Sequence, residues 1–219
     1  MAPSHPHTLL LLGGTWHNFN AFANWLTPLL QEFGHQVDGS YHPAALTHLN
    51  DSGYDLVVLY TCLSPAQEDG SPAEVVLEDE HAVFLAEWLA RGGRMLALHA
   101  ATVSSATSAV FRHLVGGIFV EHPPAFSFQV CPVYGEHPIT AGIQAFSVYD
   151  EFYFERTEAD VQVHMLAVDR GAAYPMVWSR TEGAGRVVHI AMGHDEGVWR
   201  QPPYRQLVVQ SVQWLLREV

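Results

Sequence analysis

With 219 residues, 48% hydrophobic and 15% charged, the chain suits one α/β domain spanning 1–219, with room for a modest insertion. Its net charge is −13 and all ten cations are arginine, which argues against nucleic acid or an anionic membrane surface as partner. The longest apolar runs, such as Leu9–Leu12 and Leu56–Tyr60, are far too short to span a bilayer. The first residues show neither a cationic region nor an apolar leader, so a cytoplasmic protein is expected.

Taken in order, strands and helices alternate. Thr8–Leu12 is an apolar run that ends in Gly13-Gly14, followed by a loop, Thr15 to Phe19. Phe22, Trp25, Leu26, Leu29, Leu30 and Phe33 then share one helix face, capped by Asn18 or Asn20 and closed by Gly34; Pro28 should kink it or mark a break. Gln36–Tyr41 is a weaker strand. Asp55–Tyr60 is a strong one, with Thr61-Cys62 at its end. Residues 63–78 read as an acidic surface loop, and Asp79 to Arg91 as a helix with Phe84, Trp88 and Leu89 on its apolar face.

Gly92-Gly93 stops that helix, and Arg94–Leu98 follows as a buried parallel strand ending in His99. A helix resumes from Thr107 to Val115 and ends at Gly116-Gly117. A strand that turns sharply into a helix holds its apical side chain at the carboxyl edge of the sheet. Enzymes put a Ser or Cys nucleophile at such an elbow; here the residue is His99. Further strands are expected at Phe126–Val130, Val163–Val168, Met176–Ser179 and Gly185 to Met192, the last ending in Gly193-His194-Asp195. Pro203–Arg217 is the final helix.

Three apolar strands thus end near residues able to do chemistry: His17, His99 and His194-Asp195. In an open parallel sheet, sites form outside the carboxyl ends of the strands. Cys62 and Cys131 form no framework, and two reduced thiols are expected.

Leu98-His99-Ala100-Ala101, Gly116-Gly117 with Phe119 and His122-Pro123, His137-Pro138-Ile139-Thr140, Asp150-Glu151-Phe152-Tyr153, Pro175-x-x-Trp178, Gly185-Arg186-Val187 and Gly193-His194-Asp195 with Trp199 come in a distinctive order. That order resembles the ThuA-like (trehalose utilisation) family over nearly the whole chain. The resemblance implies a class I glutamine amidotransferase-like fold: a flavodoxin-like, doubly wound, mainly parallel sheet with helices on both faces. It also implies a role in disaccharide breakdown, acting on a keto-sugar made by a partner sugar oxidoreductase.

The amidotransferases place a Cys at the elbow and relay it to a His near the C-terminus. His99 resembles the first position, and His194 with Asp195 or Glu196 the second. Imidazole cannot form the thioester that glutaminase chemistry needs, so glutamine hydrolysis is not expected. His99, His194, Asp195 and Glu151 are the candidate catalytic residues. His17, His122, Asp150, Tyr153 and Trp199 are candidates for binding substrate.

Two chemistries suit this set. One is a divalent metal such as zinc, held by His99, His122 and His194. The other is metal-free acid/base catalysis by the histidines and carboxylates. A non-catalytic sugar-binding or regulatory protein is the alternative function. The aromatic residues Trp16, Tyr153 and Trp199 read more readily as core than as sugar-stacking faces, while Asp150 and Glu151 read equally as caps and His122 as a turn residue. The sugar and the oligomeric state, including a homo-oligomer, are left open.

Overall fold

Side chains that alternate along apolar strands build two cores from one sheet. The computed structural model describes residues 5–133 and 136–217. In chain order these form β1 (His7–Gly14), α1 (Phe19–Glu32), β2 (Gln36–Ser40), a 3-10 turn (Pro43–His48), α2 (Leu49–Ser52), β3 (Leu56–Cys62), α3 (Asp79–Ala90) and β4 (Arg94–Leu98). A 3-10 segment (His99–Ala106), α4 (Ala109–Val115), β5 (Gly117–Glu121), β6 (Phe126–Pro132), β7 (Phe146–Asp150) and β8 (Phe154–Thr157) follow. The chain continues through β9 (Gln162–Asp169), β10 (Ala172–Glu182), β11 (Gly185–Ile190), α5 (Glu196–Trp199) and α6 (Pro202–Leu216).

Nine strands form one sheet in the order β2-β1-β3-β4-β11-β10-β9-β6-β7, and β5 pairs with β8 apart from it. From β2 to β11 every pairing is parallel, so the four expected strands at 8–12, 55–60, 94–98 and 187–192 stand side by side. The expectation of a mainly parallel sheet holds for that half only. From β11 to β7 every pairing is antiparallel. For β9, β10 and β11 the cause is local: β9 and β10 are joined by Arg170-Gly171, both at positive φ, and β10 and β11 by Gly183-Ala184. Two-residue connections permit only antiparallel neighbours.

Helices cover both faces of the parallel half. Leu10, Leu12, Val58, Tyr60, Leu96 and Ile190 pack with Phe22 and Leu26 of α1 and with Tyr204 and Leu207 of α6. Leu9, Leu11, Val57, Leu59, Met95 and Val187 pack on the other side with Leu85 and Leu89 of α3 and Phe111 of α4. Each such side chain contributes about 1.5–3 kcal/mol by leaving water. Two expected core residues lie outside it: Phe84 is exposed on α3, where Ala82, Leu85, Trp88 and Leu89 are buried instead, and Phe33 is the exposed C-cap of α1. Helix α1 runs on through Pro28, and the Asn18 side chain caps it by accepting from the Ala21 amide. Both cysteines are free thiols.

One close approach sets the geometry of the site. A Cβ at Gly14 would lie 2.0 Å from the carbonyl oxygen of Cys62, so only glycine lets the end of β1 lie against the end of β3. The loop carrying His17 starts there.

Candidate functional site

His17, His99, Glu151 and His194 meet at the carboxyl edge of the parallel strands. One ligand-type atom from each lies within 4.8 Å of the others. His17 follows β1, His99 follows β4 and His194 follows β11, as the topology of an open sheet requires. Glu151 arrives by another route. It follows β7, which lies four strands from β11, a flat-sheet separation of about 19 Å. Yet the Asp150 carboxylate accepts from the backbone N–H groups of Gly193 at 2.7 Å and His194 at 3.2 Å. The antiparallel half therefore curls back and brings its last strand onto the end of β11.

The rings are oriented from behind by the backbone. His99 Nδ1 lies 2.8 Å from the Ala191 carbonyl oxygen, and His17 Nδ1 lies 2.9 Å from that of Thr15. A carbonyl can only accept, so both Nδ1 atoms carry the proton. In the neutral rings both Nε2 atoms are then lone pairs facing inward. His17 Nε2, His99 Nε2 and His194 Nδ1 are all buried with no hydrogen-bond partner. Glu151 Oε2 sits 3.5 Å from His99 Nε2 and 3.3 Å from His194 Nδ1, close but not aligned as hydrogen bonds.

His99 itself has φ +47, a strained conformation for a residue with a Cβ. Its bond to Ala191 and the stack of Tyr153 on its ring, 4.2 Å between centroids, hold it there.

The electrostatics follow from burial and proximity. Burial pushes the His17 pKa down to about 3, with His99 adding to the effect. Burial alone would raise the Glu151 carboxyl, but His194 and His99 beside it outweigh that and hold it below the ordinary carboxylate range. Contact with Glu151 in turn raises the His194 pKa against the effect of its burial. The site thus keeps a charged carboxylate among inward-facing imidazoles. Paired backbone carbonyls behind the rings are the outer shell that metal-ligating histidines use.

Other expected residues take different places. His122 stands at the edge, its Nε2 3.7 Å from the second Glu151 oxygen, and outside the four-residue set, so it flanks the group. Tyr153 lies between the rings of His99 and His122. Asp150 is buried, and its oxygens are occupied by the amides of Glu151, Gly193 and His194, which gives it a bracing role and no free oxygen edge for a sugar. Asp195 is exposed and caps α5 by accepting from the Gly197 amide, turned to that task instead of the cluster. Trp199 is buried, and its indole N–H donates to the Gly193 carbonyl, so it has no open face for a sugar. His17, expected to bind substrate, lies inside the four-residue cluster.

A second polar group supports the elbow from beneath. The Thr102 hydroxyl donates to Glu155 Oε1 at 2.5 Å, and that oxygen lies 3.3 Å from His189 Nε2. Neither the His189 nor the Glu155 side chain reaches solvent. The strand Val187–Ile190 carried the signal for this group, because a histidine inside an apolar strand needs a buried partner.

The family model for ThuA, described as trehalose utilisation, matches residues 9–215. The chain belongs to the ThuA family. Among solved structures it is similar to a ThuA-like protein from Parabacteroides merdae, with TM-score 0.76 and 18% identity over 98% of this chain and 93% of that one. A ThuA-like protein from Bacteroides uniformis gives TM-score 0.70 and 18% identity, over 98% and 94%. A cytoplasmic protein from Salmonella typhimurium gives 0.63 and 17%, over 96% and 99%. These likenesses show a shared fold. No curated protein sequence matches the chain. Among the described residues, no helix is long and apolar enough to cross a membrane.

Proposed function

We propose that His17, His99, His194 and Glu151 hold a divalent cation such as zinc, and that this ThuA protein is an enzyme acting on a keto-sugar derived from trehalose or a related disaccharide. One observation carries the reading: three unpartnered imidazole nitrogens and a carboxylate within 4.8 Å. A tetrahedral shell at about 2.0–2.1 Å spaces its ligands about 3.4 Å apart, so the set need close only slightly. When bound, such an ion polarises a carbonyl or a water oxygen. Around it, Glu151 balances charge, His122 faces the second Glu151 oxygen and can hold a proton there, and Tyr153 covers the His99 ring.

The family supports the substrate class, and the strand order β2-β1-β3-β4-β11 supports a flavodoxin-like, doubly wound, amidotransferase-like parent. With imidazole at the elbow, glutaminase chemistry is excluded from the proposal. A cytoplasmic location and a sugar oxidoreductase supplying the keto group complete it.

The test is a titration of the purified chain with zinc, manganese, nickel and magnesium, read by calorimetry and elemental analysis. One equivalent of one transition ion is expected. Binding should weaken at least tenfold in His17→Ala and His194→Ala, and should be unchanged in the exposed control His48→Ala. Weak binding that ignores these substitutions overturns the metal. The second reading then applies: His194, with its raised pKa, as acid and His17, held neutral, as base.

A further inference from the structure

We propose that the cavity at the amino edge of the parallel strands, lined by Arg91 and Arg94 with Arg186 and Arg217 beside it, is a binding site for a phosphate-bearing small molecule. Arg94 begins β4, the strand that ends at His99, so this site and the histidine cluster occupy opposite edges of the sheet. The proposal rests on neither the metal nor the sugar.

Arginines crowd there without carboxylates to answer them. The chain has a net charge of −13, so a carboxylate partner is easy to supply. Arg170, Arg180, Arg200 and Arg205 each have one. Among the described residues, Arg91, Arg94, Arg186 and Arg217 have none. Arg94 and Arg186 are register partners on the adjacent parallel strands β4 and β11, with Cα atoms about 4.8 Å apart. The residues after them, Met95 and Val187, face α3 and α4, so both arginines lie on the face that α6 covers. Like charges side by side on neighbouring strands repel. Burial lowers the Arg94 pKa, and burial with Arg94 and Arg217 nearby lowers that of Arg186.

Local structure accounts for part of this group only. Helices α3 and α6 end at the same edge with Arg91 and Arg217 as C-caps, where a cation meets the negative end of the helix dipole. Arg94 and Arg186 belong to strands. Arg94 donates to the Gly93 carbonyl at 3.2 Å; Arg186 donates to the Arg217 carbonyl and lies over the Trp214 ring. The Nε of each is buried without a partner. A guanidinium carries more N–H donors than these bonds use, so both retain donors for an incoming acceptor.

The space fits a small anion. The cavity measures 390 Å³, within the range of small-molecule sites. Arg91 Nη1 donates to the Asn50 side chain at 3.3 Å, which holds the guanidinium on the wall. Asp55 also lines the cavity, but its carboxylate accepts from the His7 amide at 2.8 Å and pairs with no arginine among the described residues. Arginine binds phosphate through two parallel N–H···O bonds. A phosphate dianion answers two guanidinium charges at once, where a carboxylate answers one.

Calorimetry and thermal melting of the full chain test this, after chelator treatment and dialysis so that no metal at the histidine cluster takes up the probe. The probes are inorganic phosphate and glycerol 3-phosphate, against chloride at matched ionic strength. One equivalent should bind; for a Kd of about 1 mM, 10 mM probe should raise Tm by about 3–5 °C over chloride. Whichever probe binds more tightly identifies free phosphate or an ester as the preferred source. Arg94→Gln should weaken binding at least about tenfold and Arg91→Gln about three- to tenfold, while the exposed control Arg170→Gln leaves it unchanged. In chloride, Arg94→Gln should melt no lower than the parent, because it relieves repulsion. Arg94→Lys, which keeps the charge without the fork, should also bind more weakly and reads the site should the glutamine variant fold poorly. The proposal is overturned if neither probe saturates, or if the Arg91 and Arg94 variants bind as the parent does. Phosphate binding seen only in Glu218→Gln would overturn it too, by giving the arginines to the chain's own carboxylate.

Discussion

The proton on His99 Nδ1 is committed to the carbonyl oxygen of Ala191, 2.8 Å away, so the neutral ring turns its lone pair on Glu151. A lone pair and a carboxylate facing each other at 3.5 Å repel unless a proton or a cation lies between them. Glu151 is therefore the hub of the cluster. In Glu151→Gln the ordering contact is lost, and the His194 pKa should fall toward or below 6.5, because the carboxylate that raises it is gone while burial remains. Nuclear magnetic resonance titration of the His194 ring in metal-free protein reads this directly. An unchanged midpoint would refute the assigned partnership.

Asp150 braces the end of β11. It accepts from three backbone amides, of Glu151, Gly193 and His194, while almost fully buried. Asparagine has one acceptor oxygen and turns an NH2 group toward amides that can only donate. Asp150→Asn should cost about 3 kcal/mol and lower Tm by roughly 6–12 °C. Because the same amides position His194, metal affinity should fall as well. Thermal melts with and without zinc measure both effects; a variant as stable as the parent would remove the bracing role.

Acid should destabilise the fold through buried neutral histidines. Burial lowers the His164 pKa to about 4, and its ring bonds the Ser179 hydroxyl at 2.7 Å. The unfolded chain takes up that proton near pH 6.5 while the folded one does not. The contribution is therefore intact above 6.5 and is lost as pH falls toward 4. A separation of about 2.5 units amounts to on the order of 3 kcal/mol. Urea denaturation at pH 7.5, 6.0 and 5.0 should show the slope, and His164→Gln, which keeps a partner for Ser179, should flatten it. Equal slopes in the two proteins would assign acid sensitivity elsewhere.

Within the parallel half, β1, β3, β4 and β11 were legible because each is a near-continuous apolar run, and three of them end near His17, His99 and His194; polar β2 at the edge gave only a weak signal. Glu151 was legible as a residue but not as a neighbour. Its position depends on the curl of four antiparallel strands, which no local spacing encodes. Trp199 and Asp195 misled for a related reason. Both sit beside His194 in sequence, but the turn into α5 points one into the core and uses the other as a cap. Phe84 misled because the 3.6-residue period leaves its neighbour Leu85 equally eligible, and packing against β4 and β11 chooses between them.

The buried group beneath the elbow offers the sharpest test of stability. Glu155 Oε1 receives the Thr102 hydroxyl and lies 3.3 Å from His189 Nε2, with both side chains cut off from water. Thr102 belongs to the 3-10 segment that begins at His99, so Glu155 ties the strained elbow to the strands beneath it. Removing one partner of a buried pair leaves the other uncompensated, so Glu155→Ala should cost about 3–5 kcal/mol. Glu155→Gln keeps an acceptor for Thr102 and a volume close to the original, and should cost roughly 1–2 kcal/mol. Replacing both members, as in Glu155→Leu with His189→Leu, should cost less than the sum of the two single changes, because neither polar group is left behind. Urea denaturation of the parent, Glu155→Leu, His189→Leu and the double variant gives the coupling, and hydrogen exchange at the 99–106 amides shows whether the elbow loosens with it. Additive costs, with exchange at the elbow unchanged, would show that Glu155 and His189 are neighbours without partnership.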